Sequence, residues 1–168
     1  MENPGFKFGF YGGLGAMLFT LVMYNVHPIG LFNGLIAYLV PIGFYAGAIV
    51  LALNAFVKKQ EAPITFRDVM RVSFPALLLA MGLNHLLHYL LLSMDPTFQE
   101  IHMQGMVELA QNFGSKLYDE QGVQGLIQQI EKIEGKRSFG QAFNLYFRSI
   151  LPGFLLAAAI SIFYIRRS

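Results

Sequence analysis

His85 and His88 stand three residues apart in VSFPALLLAMGLNHLLHYLLLSM (Val72–Met94), a stretch of 23 residues with no formal charge. On a helix that spacing puts both rings on one face, with Asn84 and Tyr89 beside them. Two chemistries could use such a face. A copper or zinc site needs three or four converging donors. The candidates are His85, His88, His27 and His102, with Met94, Met103 and Met106 as soft donors nearby. A proton or ion path would use His85, His88, Tyr89 and Arg148, with Pro41, Pro75 and Pro152 breaking helices at mid-depth. The plainer account is that Asn84, His85 and His88 hydrogen-bond between helices while methionines fill gaps. The residue types favour it, because no Asp or Glu falls inside an apolar stretch and four helices leave little room for a pathway. The expectation is therefore no metal and no other cofactor.

Enzymatic patterns are missing. The apolar stretches hold no paired carboxylates, and there is no phosphate-cradling glycine loop, HExxH or Ser-His-Asp order. Glu108, Asp119 and Glu131 are spaced like the solvated side of a helix. With no cysteine, thiol catalysis, disulfides and iron–sulfur ligation are excluded. A net charge of +2, with no basic tract, argues against a nucleic-acid partner. The chain reads as a non-enzyme.

Such a polar face must be positioned by lipid-embedded helices. The chain has 168 residues, of which 55% are hydrophobic and 13% charged, against about 25% charged in soluble domains. A straight span needs about 20 apolar residues. The first runs over Phe8–Val26. Its lone basic neighbour Lys7, its length and the lack of an A-x-A-like site argue against a secretory leader. Gly5, Gly9 and Gly13 give two overlapping GxxxG frames, which let another backbone approach closely. After a His27–Gly30 turn, a second span over Leu31–Val57 is 27 residues long and contains Pro41, so tilt or a bend is expected. Its Gly43 and Gly47 form a further frame that could face the first helix. Thr65 and Asp68 have capping-box spacing. Phe66, Val69, Met70 and Phe74 then fall opposite Arg67, Asp68 and Arg71, so the first two turns are expected at the membrane surface, with Pro75 where the third span (72–94) descends.

Residues 95–137 carry 7 acids and 4 Lys or Arg in 43 residues and cannot span. Asp95-Pro96 is a helix start. Phe98, Ile101, Met106, Leu109, Ala110 and Phe113 recur at helical steps up to Gly114, and Val123, Leu126, Ile127, Ile130 and Ile133 do so up to Gly135. This predicts an extramembrane amphipathic hairpin whose stripes bury against each other, the headgroups or another protein. Ser138-Phe139-Gly140-Gln141 is a second capping start for the fourth span (144–165), in which Arg148 is early enough to snorkel to the interface and Pro152 and Gly153 predict a kink. Arg166-Arg167 closes the span. An internal repeat beginning at Thr65-Phe66 and Ser138-Phe139 fails, because Pro75 would align with Arg148. The fold class is an all-α, single-domain, four-helix membrane bundle.

Lys and Arg of short loops stay cytoplasmic. Lys7, Lys58, Lys59, Arg67, Arg71, Arg166 and Arg167 therefore put both termini inside, in a bacterial inner membrane, and residues 95–137 in the periplasm. Four spans, a DP dipeptide ending the third, an amphipathic Met/Gln/Glu-rich insert and the phrase Ser138-Phe139-Gly140-Gln141-Ala142-Phe143 together resemble the bacterial membrane-protein family called domain of unknown function 4199. The resemblance runs from about Phe8 to Ile165. It implies an integral inner-membrane protein and brings no reaction, ligand or catalytic residue. The expected role is an accessory, structural or assembly subunit of a larger membrane complex, or a homo-oligomer.

Overall fold

The computed structural model describes residues 3–114, 116, 119–134 and 139–165, and their regular structure is helical throughout. In chain order the helices are α1 (Pro4–Val26), α2 (Gly30–Asn33), α3 (Leu35–Val57), α4 (Phe66–Met94), α5 (Pro96–Gly114), α6 (Glu120–Glu134) and α7 (Phe139–Ile165). Of these, α1, α3, α4 and α7 are long and apolar enough to cross a membrane. The chain is an all-α membrane bundle with an amphipathic hairpin, α5–α6, between its third and fourth spans.

Asn3 starts α1. Its Oδ1 accepts from the Gly5 N–H at 2.9 Å, and Pro4 follows, where a missing N–H costs nothing. Its Nδ2 donates to the Arg71 carbonyl of α4 at 2.9 Å. The residue four ahead of Arg71 is Pro75, which has no N–H to give that carbonyl. The proline thus frees an acceptor, and the α1 cap fills it. Thr65 and Asp68 form the capping box that their spacing predicts, with Thr65 Oγ1 accepting from the Asp68 N–H and Asp68 Oδ2 from the Thr65 N–H.

Glycine then sets how closely the spans approach. A Cβ on Gly5 would strike the Val72 carbonyl oxygen; one on Gly9 would lie 2.6 Å from the Ala76 carbonyl oxygen; one on Gly13 would lie 3.2 Å from the Ala80 Cα. The contacts climb both helices together, so α1 and α4 run parallel, in near backbone contact. On its other side α1 meets α3 in the opposite sense, Gly12 against Ala48 and Gly15 against the Phe44 ring. Helix α7 descends along α4, with Ser161 beside Ser73 and Gly153 beside Leu77 and Met81. The core between them is built largely of small side chains, Ala16, Ala48, Ala52, Ala76, Ala80 and Ala157, with Ile49, Leu53 and Leu77. The large apolar side chains of the spans, such as Leu18, Ile36, Leu151 and Phe163, point outward, as a lipid solvent permits.

Three expectations are corrected. Gly43 and Gly47 do not face α1, and a Cβ on either would meet nothing within 4 Å. Tyr45, Ala48, Ile49 and Ala52 carry the inward side of α3, which turns both glycines outward. The second span does not run unbroken from Leu31. Gly34 is extended (φ −89°, ψ 137°) and separates α2 from α3, sending Leu31 and Phe32 into a cluster of their own. The first two turns of α4 do not lie apart at the surface. The helix is continuous through Pro75, and Val69, Val72 and Ser73 are buried with Ala76, Leu77 and Ala80 as one stripe. The Ser138 capping start, Gly135 and Arg166-Arg167 lie outside the described residues.

A single residue links α4 to the hairpin. Asp95 ends α4 and starts α5, its Oδ1 accepting from the N–H groups of Thr97 (3.0 Å) and Phe98 (3.2 Å). Phe98 is fully buried against Leu31 and Phe32. Gly105 lets α5 close on Phe32, and Val123 and Leu126 of α6 lie against Gly114. The α5 stripe is therefore divided between α2 and α6.

Candidate functional site

The polar side chains of the spans form a chain of hydrogen bonds across three helices. Asn84 of α4 donates through Nδ2 to the Tyr45 hydroxyl of α3 at 2.9 Å, and its Oδ1 accepts from the Thr20 hydroxyl of α1 at 3.2 Å. His88 Nε2 lies 3.4 Å from Thr20 Oγ1. With the proton on Nε2, donors and acceptors match along the whole run: His88 to Thr20, Thr20 to Asn84, Asn84 to Tyr45. Thr20 and Asn84 are buried. In a hydrocarbon surround a polar group left without a partner is costly, so this run fixes the rotation of α1, α3 and α4 about one another.

His85 belongs to a different neighbourhood. Its Nδ1 donates to the Met81 carbonyl at 2.9 Å, and its Nε2 lies 3.3 Å from Ser149 Oγ on α7. Tyr146 packs edge-on against it at 5.5 Å and donates to the Leu78 carbonyl at 3.0 Å. His85, Tyr89 and Tyr146 border an apolar groove of about 600 Å³ that also touches Leu78, Leu79 and Phe143. His85 and His88 thus stand three residues apart and serve different helices. Arg148 is exposed on α7.

The remaining histidines do not join them. His27 is exposed in the turn after α1, its ring beside Gly30. His102 is buried on α5 with its ring 4.4 Å from Phe32. His88 reaches the same aromatic group, 6.4 Å from Phe32 and 6.1 Å from Phe98. Among the described residues no group of three or more His, Asp or Glu is placed to hold one ion. Where the hairpin meets the bundle, the Tyr24 hydroxyl donates to Asp95 Oδ2 at 2.7 Å. That bond, with those from the Phe98 and Thr97 N–H groups, holds the Asp95 carboxyl below its ordinary range, with desolvation opposing.

Several of these partners escaped the sequence reading. Thr20, Tyr45 and Ser149 complete the bonds of Asn84, His88 and His85. Ser73 and Ser161 pair at 3.0 Å between α4 and α7, and the Tyr164 hydroxyl donates to Asn54 Oδ1 at 2.9 Å. The available signal was a hydroxyl or amide inside an apolar run, the usual cross-helix adhesive in membranes. Ala76 and Ala80, four apart, were the sign that α4 would receive the glycines of α1.

No curated protein matches the chain, and no solved structure does. A family model described as "Protein of unknown function (DUF4199)" matches residues 7–166. That match, over nearly the whole length, identifies the chain as a member of that family.

Proposed function

We propose that this protein is a non-enzymatic accessory, structural or assembly subunit of a larger complex in the bacterial inner membrane, or a homo-oligomer. Both termini would be cytoplasmic and the α5–α6 hairpin periplasmic. The observation that carries the reading is the bare outward side of α3 at Gly43 and Gly47. Glycine inside a helix is less favourable than alanine by roughly 1 kcal/mol. In α1 that cost is offset by near backbone contact with α4; in α3 no helix among the described residues offsets it. A membrane helix of a partner or of a second copy, packed on Gly43 and Gly47, would. The use of Asn84, His85 and His88 as hydrogen-bond partners between spans supports the same reading, since it leaves those groups with a structural task.

The test is extraction from native membranes in mild detergent, with mass measured and co-purifying chains identified. A species well above the monomer mass is expected, and Gly43→Leu with Gly47→Leu should reduce it to monomer. A clean monomer from the unaltered protein overturns the proposal.

A further inference from the structure

A second cleft lies at the opposite end of α4 from the hairpin. It has a volume of about 570 Å³ and runs between the first turns of α4 and Phe154 of α7. Its walls are of two kinds. Met70, Phe74 and Phe154 are apolar, with the Phe74 and Phe154 rings in edge contact at 5.7 Å. Arg67 and Arg71 are cationic and both exposed. Four residues apart on a helix, the two guanidiniums share one side, and Met70 and Phe74 stand beside them on it, not opposite them as the sequence suggested. Asp68, whose Oδ2 is held by the Thr65 hydroxyl at 2.6 Å and the Thr65 N–H at 3.1 Å, lies within electrostatic reach of both guanidiniums and balances only part of their charge. The cleft begins where α4 leaves the polar Lys58–Thr65 connection and ends at Pro75, which also borders the larger apolar groove leading to Tyr89. From Pro75 to Tyr89 is about 21 Å along a helix, more than the roughly 15 Å of one hydrocarbon leaflet.

A paired cationic rim above an apolar trough matches an amphiphile with an anionic head and a long tail. We propose that the cleft binds one anionic phospholipid from the leaflet on the Arg67–Arg71 side. Its phosphate sits between the two guanidiniums, and an acyl chain lies along Met70, Phe74 and Phe154. Paired guanidinium–phosphate hydrogen bonds are charge-assisted and directional, and basic pockets between spans favour anionic headgroups. The site is independent of the bare α3 surface.

The experiment uses the purified full-length protein in detergent. It is mixed with phosphatidylglycerol or phosphatidylcholine of identical acyl chains, and retained lipid is read by native mass spectrometry. Phosphatidylglycerol should be retained on the order of tenfold better. R67Q/R71Q should abolish that preference, while K58Q/K59Q, outside the cleft, should leave it intact. M70W fills the trough without touching either charge and should also displace the lipid. Inorganic phosphate should not compete at concentrations where phosphatidylglycerol binds. Equal retention of the two lipids overturns the proposal, as does a preference that survives R67Q/R71Q or falls equally with K58Q/K59Q. So does a lipid that stays with M70W, or displacement by inorganic phosphate, which would mark an ion site with no role for the tail.

Discussion

The Asn3–Arg71 contact yields a double-mutant cycle. Asn3→Ala removes two things: the α1 cap on the Gly5 N–H and the donor to the Arg71 carbonyl. Loss of an N-cap costs about 1 kcal/mol, and a hydrogen bond of this kind contributes about 0.5–1.5 kcal/mol, so the variant should be destabilised by about 2 kcal/mol. In a Pro75→Ala background the backbone N–H gained at that position reaches back to Arg71, and the carbonyl no longer needs Asn3. There Asn3→Ala should cost only the cap, about 1 kcal/mol. The coupling of about 1 kcal/mol exceeds the usual additivity error of about 0.3–0.5 kcal/mol. Equilibrium unfolding in mixed detergent–SDS micelles, followed by helical circular dichroism, measures all four corners. An equal cost of Asn3→Ala in both backgrounds would refute the claim that Pro75 makes the acceptor Asn3 fills.

Gly9→Ala places a methyl 2.6 Å from the Ala76 carbonyl oxygen and should cost about 1–3 kcal/mol, whereas Gly47→Ala should not destabilise the monomer in the same unfolding assay. Asn84→Leu leaves Tyr45 and Thr20 without their shared partner and should cost about 0.6–1.7 kcal/mol, the range for polar contacts between membrane helices. Asp95 has a depressed carboxyl pKa, so its contribution is complete above the ordinary carboxylate value near 4. It is lost as pH falls through the lower folded value; thermal stability should drop on acidification below about 4, and Asp95→Asn should flatten that part of the profile.

The spans were legible because lipid demands long uncharged runs, and the Thr65 and Asp95 caps because a side chain three residues from an orphan N–H is a local matter. The α1 glycines could be read as a close-packing face, since spacing alone puts them on one side. Which helix they meet could not, because that depends on the rotation of α4, set by Asn84, Thr20 and Tyr45 together. The same rotation decides the fate of Gly43 and Gly47, whose spacing is no different from that of Gly5 and Gly9. Gly34 looked like one more small residue in an apolar run, and only the docking of Phe32 on Phe98 shows why the chain breaks there. His85 and His88 share a side of α4, but a helix side is broad enough for neighbours three apart to address α7 and α1 separately.

With Asp95 as the whole connection between α4 and α5, the hairpin has no slack where it leaves α4. Any twist or piston stroke of α4 must swing α5, with Phe98 as pivot and the Tyr24–Asp95 bond as catch. A pull on the hairpin would run the same way in reverse, down the glycine seam to the arginine end of α4.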